Sequence, residues 1–85
     1  MRITYCTACS FTARATWVAQ ELLHTFHDQV GGVLIVPGSG GVFEVALGDD
    51  VIFSRAQARR DPLIKELRDA IYERLPGARP RPHGL

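Results

Sequence analysis

Apolar side chains recur along this chain at a spacing of three or four residues in two segments. In the first, between Phe11 and about Phe26, they form one stripe along a helix. The second segment reaches Leu75 and begins at Asp61-Pro62, where Asp61 is the predicted N-cap and Pro62 the first helical residue. The spacing therefore predicts two amphipathic helices, each with one face towards a core.

Four shorter segments have the composition of β-strands, with β-branched and aromatic residues between turn signals. They are residues 2–5, 33–36, 42–47 and 51–54. Gly48-Asp49-Asp50 predicts the turn of a hairpin between the last two strands. The continuous apolar run 33–36 is typical of a central strand covered on both faces. Pro37 to Gly41, which follows this run, is expected to be a loop rather than regular structure.

The order of these elements is β-α-β-β-β-α, which predicts an α/β fold with a four-stranded mixed sheet and two helices. The first two strands are joined by a helix, so they are expected to be parallel. The second helix can pack beside the first or across the other face of the sheet. Because Cys6-Thr7-Ala8-Cys9 follows the first strand, this order is that of a minimal thioredoxin-like fold.

The 85 residues correspond to one domain, which we expect over residues 1–76. Residues 77–85 combine two prolines, two arginines and two glycines without an apolar pattern, and are expected to form a disordered tail. The net charge of +1 gives no electrostatic reason to expect a nucleic acid or a membrane surface as partner. Met1-Arg2 leads directly into a strand, so no signal peptide is expected and the expected location is the cytoplasm.

Both cysteines of the chain, Cys6 and Cys9, lie at the junction of the first strand and the first helix. Backbone N–H groups at a helix N-terminus stabilise a thiolate, which is the reactive form of cysteine. Two alternatives are a pair of structural thiols and a zinc site completed by His24 and His27. The histidines lie about fifteen residues along the same helix, roughly 22 Å from the cysteines, so no metal site is expected.

Three segments resemble the selenoprotein W-like family, also called the Rdx or SelT/SelW/SelH family. They are Tyr5-Cys6-Thr7-Ala8-Cys9, Val36-Pro37-Gly38-Ser39-Gly40-Gly41-Val42-Phe43-Glu44-Val45 and Phe53-Ser54-Arg55. The resemblance extends from Arg2 to about Leu75 and implies a thioredoxin-like fold with a thiol oxidoreductase activity. In selenium-containing members of the family, selenium takes the position that is Cys9 here.

The glycine-rich loop and one tryptophan are candidate substrate-binding elements. The loop is interpreted either as turn geometry or as a backbone platform beside the cysteines, and these two interpretations are compatible. Trp17 lies opposite the apolar stripe of its helix, where it either covers neighbouring side chains or contacts a partner. The predicted substrate-binding residues are Gly38, Ser39, Gly40, Gly41 and Trp17.

The sequence therefore predicts a thiol-disulfide oxidoreductase in which Cys6 and Cys9 are catalytic. One thiolate attacks a disulfide on a partner protein, and the other resolves the mixed disulfide. General thiol rules favour Cys6 as the attacking residue, whereas the selenium position of the relatives favours Cys9. Because this chain carries only sulfur, Cys6 is expected to attack. No cofactor is expected, and glutathione or a thioredoxin system would supply reducing equivalents. The alternative is a redox-regulated protein-binding module without catalytic turnover.

Overall fold

A computed structural model describes residues 1–9, 11–26 and 29–75 of the chain. The predicted order of strands and helices is confirmed, with one short additional helix, α2, between the last strand and the last helix. The elements are β1 (Arg2–Cys6), α1 (Thr12–Phe26), β2 (Leu34–Gly38), β3 (Phe43–Leu47), β4 (Asp50–Ser54), α2 (Arg55–Ala58) and α3 (Ile64–Arg74).

The four strands form one mixed sheet in the order β2-β1-β3-β4. β1 pairs with β2 in parallel and with β3 antiparallel, and β3 and β4 form the predicted antiparallel hairpin. The prediction that residues 33–36 form a central strand is wrong, because β2 lies at the edge and Leu34 is 63% exposed. A β-branched run identifies a strand, but its position depends on which neighbours pair with it.

β2 also continues through Pro37 and Gly38, two residues that the sequence assigned to a loop. Parallel pairing with Tyr5 and Cys6 keeps this stretch extended. A proline is tolerated here because β2 is an edge strand, where one row of backbone N–H groups has no strand to pair with. The consequence is that the glycine-rich segment begins beside Cys6.

Both long helices pack on the same face of the sheet, as two neighbours in one layer. The rings of Phe26 on α1 and Tyr72 on α3 meet edge to face, with centroids 4.9 Å apart. Burying one side chain as large as Phe26 contributes about 1.5–3 kcal/mol. The apolar stripes predicted on the two long helices are the faces that pack into the core. The buried core consists of Ile3, Ala15, Val18, Ala19, Leu22, Phe26, Phe43, Val45, Phe53, Leu67 and Ile71.

The predicted start of the last helix is wrong by two residues. α3 begins at Ile64, and the backbone N–H of Leu63 donates to Oε1 of Glu66 at 2.9 Å. This contact is one half of a capping box, in which the third helical residue reaches back to the N-cap. Asp61, the predicted N-cap, instead directs its carboxylate at two arginines on other elements.

The expectation of a disordered tail concerns residues 77–85, which lie outside the described residues. Among the residues that are described, none of the helices is long and apolar enough to cross a membrane.

Candidate active site at the cysteine pair

The two cysteines lie on the turn that connects β1 to α1. Cys6 is the last residue of β1, and Cys9 precedes the first helical residue, Thr12, by three positions. Cys6 is 1% exposed, whereas Cys9 is exposed to solvent. The pair consists of one buried and one exposed thiol.

The two sulfur atoms are in contact, with Cys9 Sγ donating to Cys6 Sγ at 2.7 Å. This hydrogen bond is the largest cause of a lowered pKa at Cys6, because it stabilises the Cys6 thiolate. Burial opposes the shift, and backbone N–H groups of Gly41, Cys9 and Ala8 add to it. The donors around Cys6 thus come from the turn and from the glycine-rich segment.

The same contact raises the pKa of Cys9, since Cys9 holds the proton that stabilises its neighbour. Burial and the charge of Cys6 also raise the pKa of Cys9, whereas the positive charge of Arg55 and the N–H of Gly41 lower it. When the pair holds a single proton, these shifts favour that proton on the exposed sulfur of Cys9 and the negative charge on the buried sulfur of Cys6.

The glycine-rich segment lies beside the end of β1, where Cys6 is located. Cys6 is in register with Gly38 and donates its N–H to the carbonyl oxygen of Val42 at 2.8 Å. The N–H of Thr7 donates to the carbonyl of Gly38 at 3.2 Å. A Cβ at Gly38 would lie 3.0 Å from Cγ1 of Val42 and 3.3 Å from the carbonyl oxygen of Tyr5, so any other residue would require these neighbours to shift by a few tenths of an ångström.

Gly41 combines two properties that the site requires. Its φ of +77° lies in the left-handed region, which residues with a Cβ seldom adopt. Its backbone N–H lowers the pKa of both Cys6 and Cys9. The structure thus brings the loop predicted to bind substrate, Gly38 to Gly41, next to the predicted catalytic pair.

Trp17 lies on α1, and no described contact connects it to the cysteines. Its side chain is 51% exposed on α1, and it is not among the described side chains packed on the core. The exposure agrees with its position opposite the apolar stripe. A role in substrate binding stays a prediction.

Sequence reasoning missed three residues beside the pair: Phe11, Arg14 and Arg55. The guanidinium groups of Arg14 and Arg55 lie over the ring of Phe11, at 5.6 and 5.4 Å from its centroid. Arg55 could have been identified from the sequence, because it ends Phe53-Ser54-Arg55, one of the three segments that resemble the selenoprotein W-like family. Arg14 lies about one helical turn after Phe11. The spacing of residues in the sequence does not show that Phe11 and Arg14 contact Arg55 on α2.

Cys6 and Cys9 do not join a larger group of potential metal ligands within the described ranges, where no three His, Cys, Asp or Glu side chains are placed to hold one ion. His24 lies in the last turn of α1. His27 is outside the described residues.

A cysteine pair at the end of the first strand of a four-stranded mixed sheet defines a redox-associated protein of thioredoxin-like fold. The sequence model of the Rdx family matches residues 1–73, and the chain belongs to this family. The resemblance to selenoprotein W-like proteins is thereby confirmed.

Two solved structures are similar to this chain over most of its length. A protein from Bordetella parapertussis is 39% identical with a TM-score of 0.84, over 87% of this chain and 94% of that one. A selenoprotein W-related protein from Vibrio cholerae is 35% identical with a TM-score of 0.82, over 85% of this chain and 90% of that one. A search of the curated proteins finds no match.

Proposed function

We propose that the protein is a thiol-disulfide oxidoreductase that reduces disulfides of partner proteins. The observation that carries this proposal is the arrangement of Cys6 and Cys9, an exposed sulfur in contact with a buried one at 2.7 Å. An exposed thiol can reach a disulfide on another molecule, and a buried neighbour can reach the mixed disulfide that results. This division of roles makes Cys9 the attacking residue, in place of the Cys6 that thiol rules favoured.

In the first step Cys9 passes its proton to Cys6 and attacks one sulfur of the substrate disulfide. The positive charge of Arg55 and the N–H of Gly41 favour the Cys9 thiolate that this transfer creates. A bond forms between Cys9 and one substrate sulfur, and the other substrate sulfur leaves as a thiolate. That thiolate takes up the proton held by Cys6, so that Cys6 regains its negative charge.

In the second step the Cys6 thiolate attacks the sulfur of Cys9 and displaces the remaining substrate thiolate. The substrate disulfide has gained two electrons, and the protein has lost them by forming a Cys6–Cys9 disulfide. The N–H groups that lower the pKa of Cys6 keep it in the thiolate form for this step. Glutathione or a thioredoxin system would then reduce the protein again.

The glycine-rich segment is the proposed platform for the substrate backbone. Gly38 is in register with Cys6, the N–H of Gly41 lowers the pKa of both thiols, and Ser39 and Gly40 are exposed. A peptide can therefore approach the cysteines here without meeting a large side chain. A reducing compartment such as the cytoplasm is the proposed location, because an exposed dithiol stays reduced there.

Turnover tests the proposal. A small neutral disulfide is mixed with the protein and a recycling system, either glutathione with its reductase or thioredoxin with its reductase, and the loss of NADPH is followed. We expect steady turnover by the wild type in at least one system, and only the background rate with the double variant Cys6→Ser, Cys9→Ser.

A redox-regulated binding module is the second candidate, favoured by the exposed indole of Trp17. It predicts one oxidation per molecule and no turnover. Background rates for the wild type in both recycling systems, together with a partner affinity that changes on oxidation and falls in Trp17→Ala, would establish this candidate instead.

A further inference from the structure

A charged cluster adjoins the cysteine pair and takes no part in the exchange of electrons. Nη1 of Arg14 lies 2.5 Å from one oxygen of Asp61, and Nε of Arg55 lies 3.2 Å from the other. Two guanidinium groups and one carboxylate give the cluster a net charge of +1. The three side chains are 39–43% exposed, so a ligand can reach them from solvent.

Arg55 connects this cluster to the sulfurs. A Cβ built at Gly41 would lie 4.0 Å from Nη1 of Arg55, and both the charge of Arg55 and the N–H of Gly41 lower the pKa of Cys9. Within the described part of the chain, Arg55 makes its hydrogen bond to Asp61 through Nε, which leaves its Nη groups for another acceptor. The ring of Phe11 below the guanidinium holds its plane in place.

An oriented guanidinium is suited to a carboxylate, which it binds through parallel N–H donors. Asp61 already pairs with both arginines, with one oxygen beside Nη1 of Arg14 and the other accepting from Nε of Arg55. The cluster retains an uncompensated positive charge after that pairing. It therefore attracts a further anionic group, and that group would lie beside exposed Cys9.

We propose that Arg55, supported by Arg14 and Phe11, is a specificity-determining residue that binds a carboxylate next to the disulfide attacked by Cys9. The inference rests on the proposed function and adds the chemical class of its substrate. The carboxylate belongs either to an acidic side chain of a protein substrate or to glutathione. In both cases the pairing holds the substrate sulfur near Cys9 while the bond to Cys9 forms.

The test compares two peptide disulfides that differ only in carrying Glu or Gln beside the cysteine. A parallel arm compares glutathione disulfide with its carboxyl-esterified form. For the wild type at low salt, we expect the charged substrate to react roughly 2- to 10-fold faster in at least one arm. The preference should shrink as salt is added, because salt screens an exposed pair. The arm that shows it identifies the source of the carboxylate.

Variants of Arg55 test whether this residue causes the faster reaction with the charged substrate. Arg55→Gln removes the charge and should bring the ratio of the two rates close to one, whereas Arg55→Lys should keep part of it. The ratio is the informative quantity, since loss of the Arg55 charge slows Cys9 towards every substrate by raising its pKa. Arg2→Gln is the matched control, because exposed Arg2 starts β1 about 13 Å from Cys6 at 3.3 Å per residue.

Equal wild-type rates for charged and neutral substrates in both arms would overturn the inference and leave the proposed function intact. A preference that survives in Arg55→Gln would also overturn it. Reduction of none of the four disulfides would overturn the proposed function, and this inference with it.

Discussion

Replacing Gly41 by alanine separates the backbone geometry of the site from its sulfur chemistry. The φ of +77° at Gly41 is one that an L-residue adopts at a cost of about 1–2 kcal/mol. Space is not the obstacle, because the new Cβ would meet only Nη1 of Arg55, at 4.0 Å. The free energy of unfolding should therefore fall by roughly the cost of the strained dihedral angle alone.

Gly40→Ala is the matched control for this substitution. Gly40 has a φ of +73°, and a Cβ there would have no neighbour within 4 Å. Both variants should lose about 1–2 kcal/mol, which corresponds to a fall of roughly 4–16 °C in Tm for a domain of this size. Thermal unfolding measured by circular dichroism provides the comparison.

The two variants should differ in the ionisation of the thiols. A chain that relaxes away from positive φ at residue 41 turns its N–H from the sulfurs, and that N–H lowers the pKa of both Cys6 and Cys9. Thiolate absorbance followed against pH should therefore show raised thiol pKa values in Gly41→Ala and wild-type values in Gly40→Ala. Equal pKa changes in both variants, or an unchanged Tm in both, would refute the reasoning.

Two further predictions concern stability away from the cysteines. The pKa of Glu66 is lowered from 4.5 to about 2, chiefly by its hydrogen bonds with Arg60. Its contribution is present above pH 4.5 and lost as the pH falls towards about 2, so Glu66→Gln should be less stable than the wild type at pH 7 and nearly equal to it at pH 2. Because the pair is partly exposed, about 1 kcal/mol is expected, and urea unfolding at both pH values checks it. Phe26→Ala removes a fully buried ring and should lower the free energy of unfolding by about 3–5 kcal/mol. Trp17→Ala, at an exposed side chain, should change it by less than about 0.5 kcal/mol. Equal losses in the two variants would contradict the assigned core.

Periodicity and composition were sufficient to predict the four strands, the two long helices and their order, but not the short helix α2. The stripe on α1 buries because residues three and four apart share a face, and this depends only on local geometry. The edge position of β2 was not predictable in this way. It depends on β1 pairing on both sides, and the β-branched run at 33–36 has the same composition at an edge as in the centre.

In the candidate site, too, local features were predictable from the sequence and long-range contacts were not. Cys6, Cys9 and the glycine-rich segment were recognisable from short motifs whose spacing fixes their relation. Which sulfur is buried depends on how Gly41 and Val42 pass over the turn, a contact across more than thirty residues of sequence. The arginine cluster is likewise assembled from α1, α2 and Asp61, so that no single segment contains its pattern.

Trapping the mixed disulfide tests most directly whether the exposed sulfur attacks and the buried one resolves. Reduced wild type, Cys6→Ser and Cys9→Ser are each mixed with a labelled peptide disulfide, and the products are identified by mass spectrometry. Wild type should lose two hydrogen atoms as Cys6–Cys9 closes, and Cys6→Ser should accumulate the peptide on Cys9. Faster peptide capture by Cys9→Ser, or a wild type that oxidises only to dimers linked between chains, would contradict the proposed roles of the two cysteines.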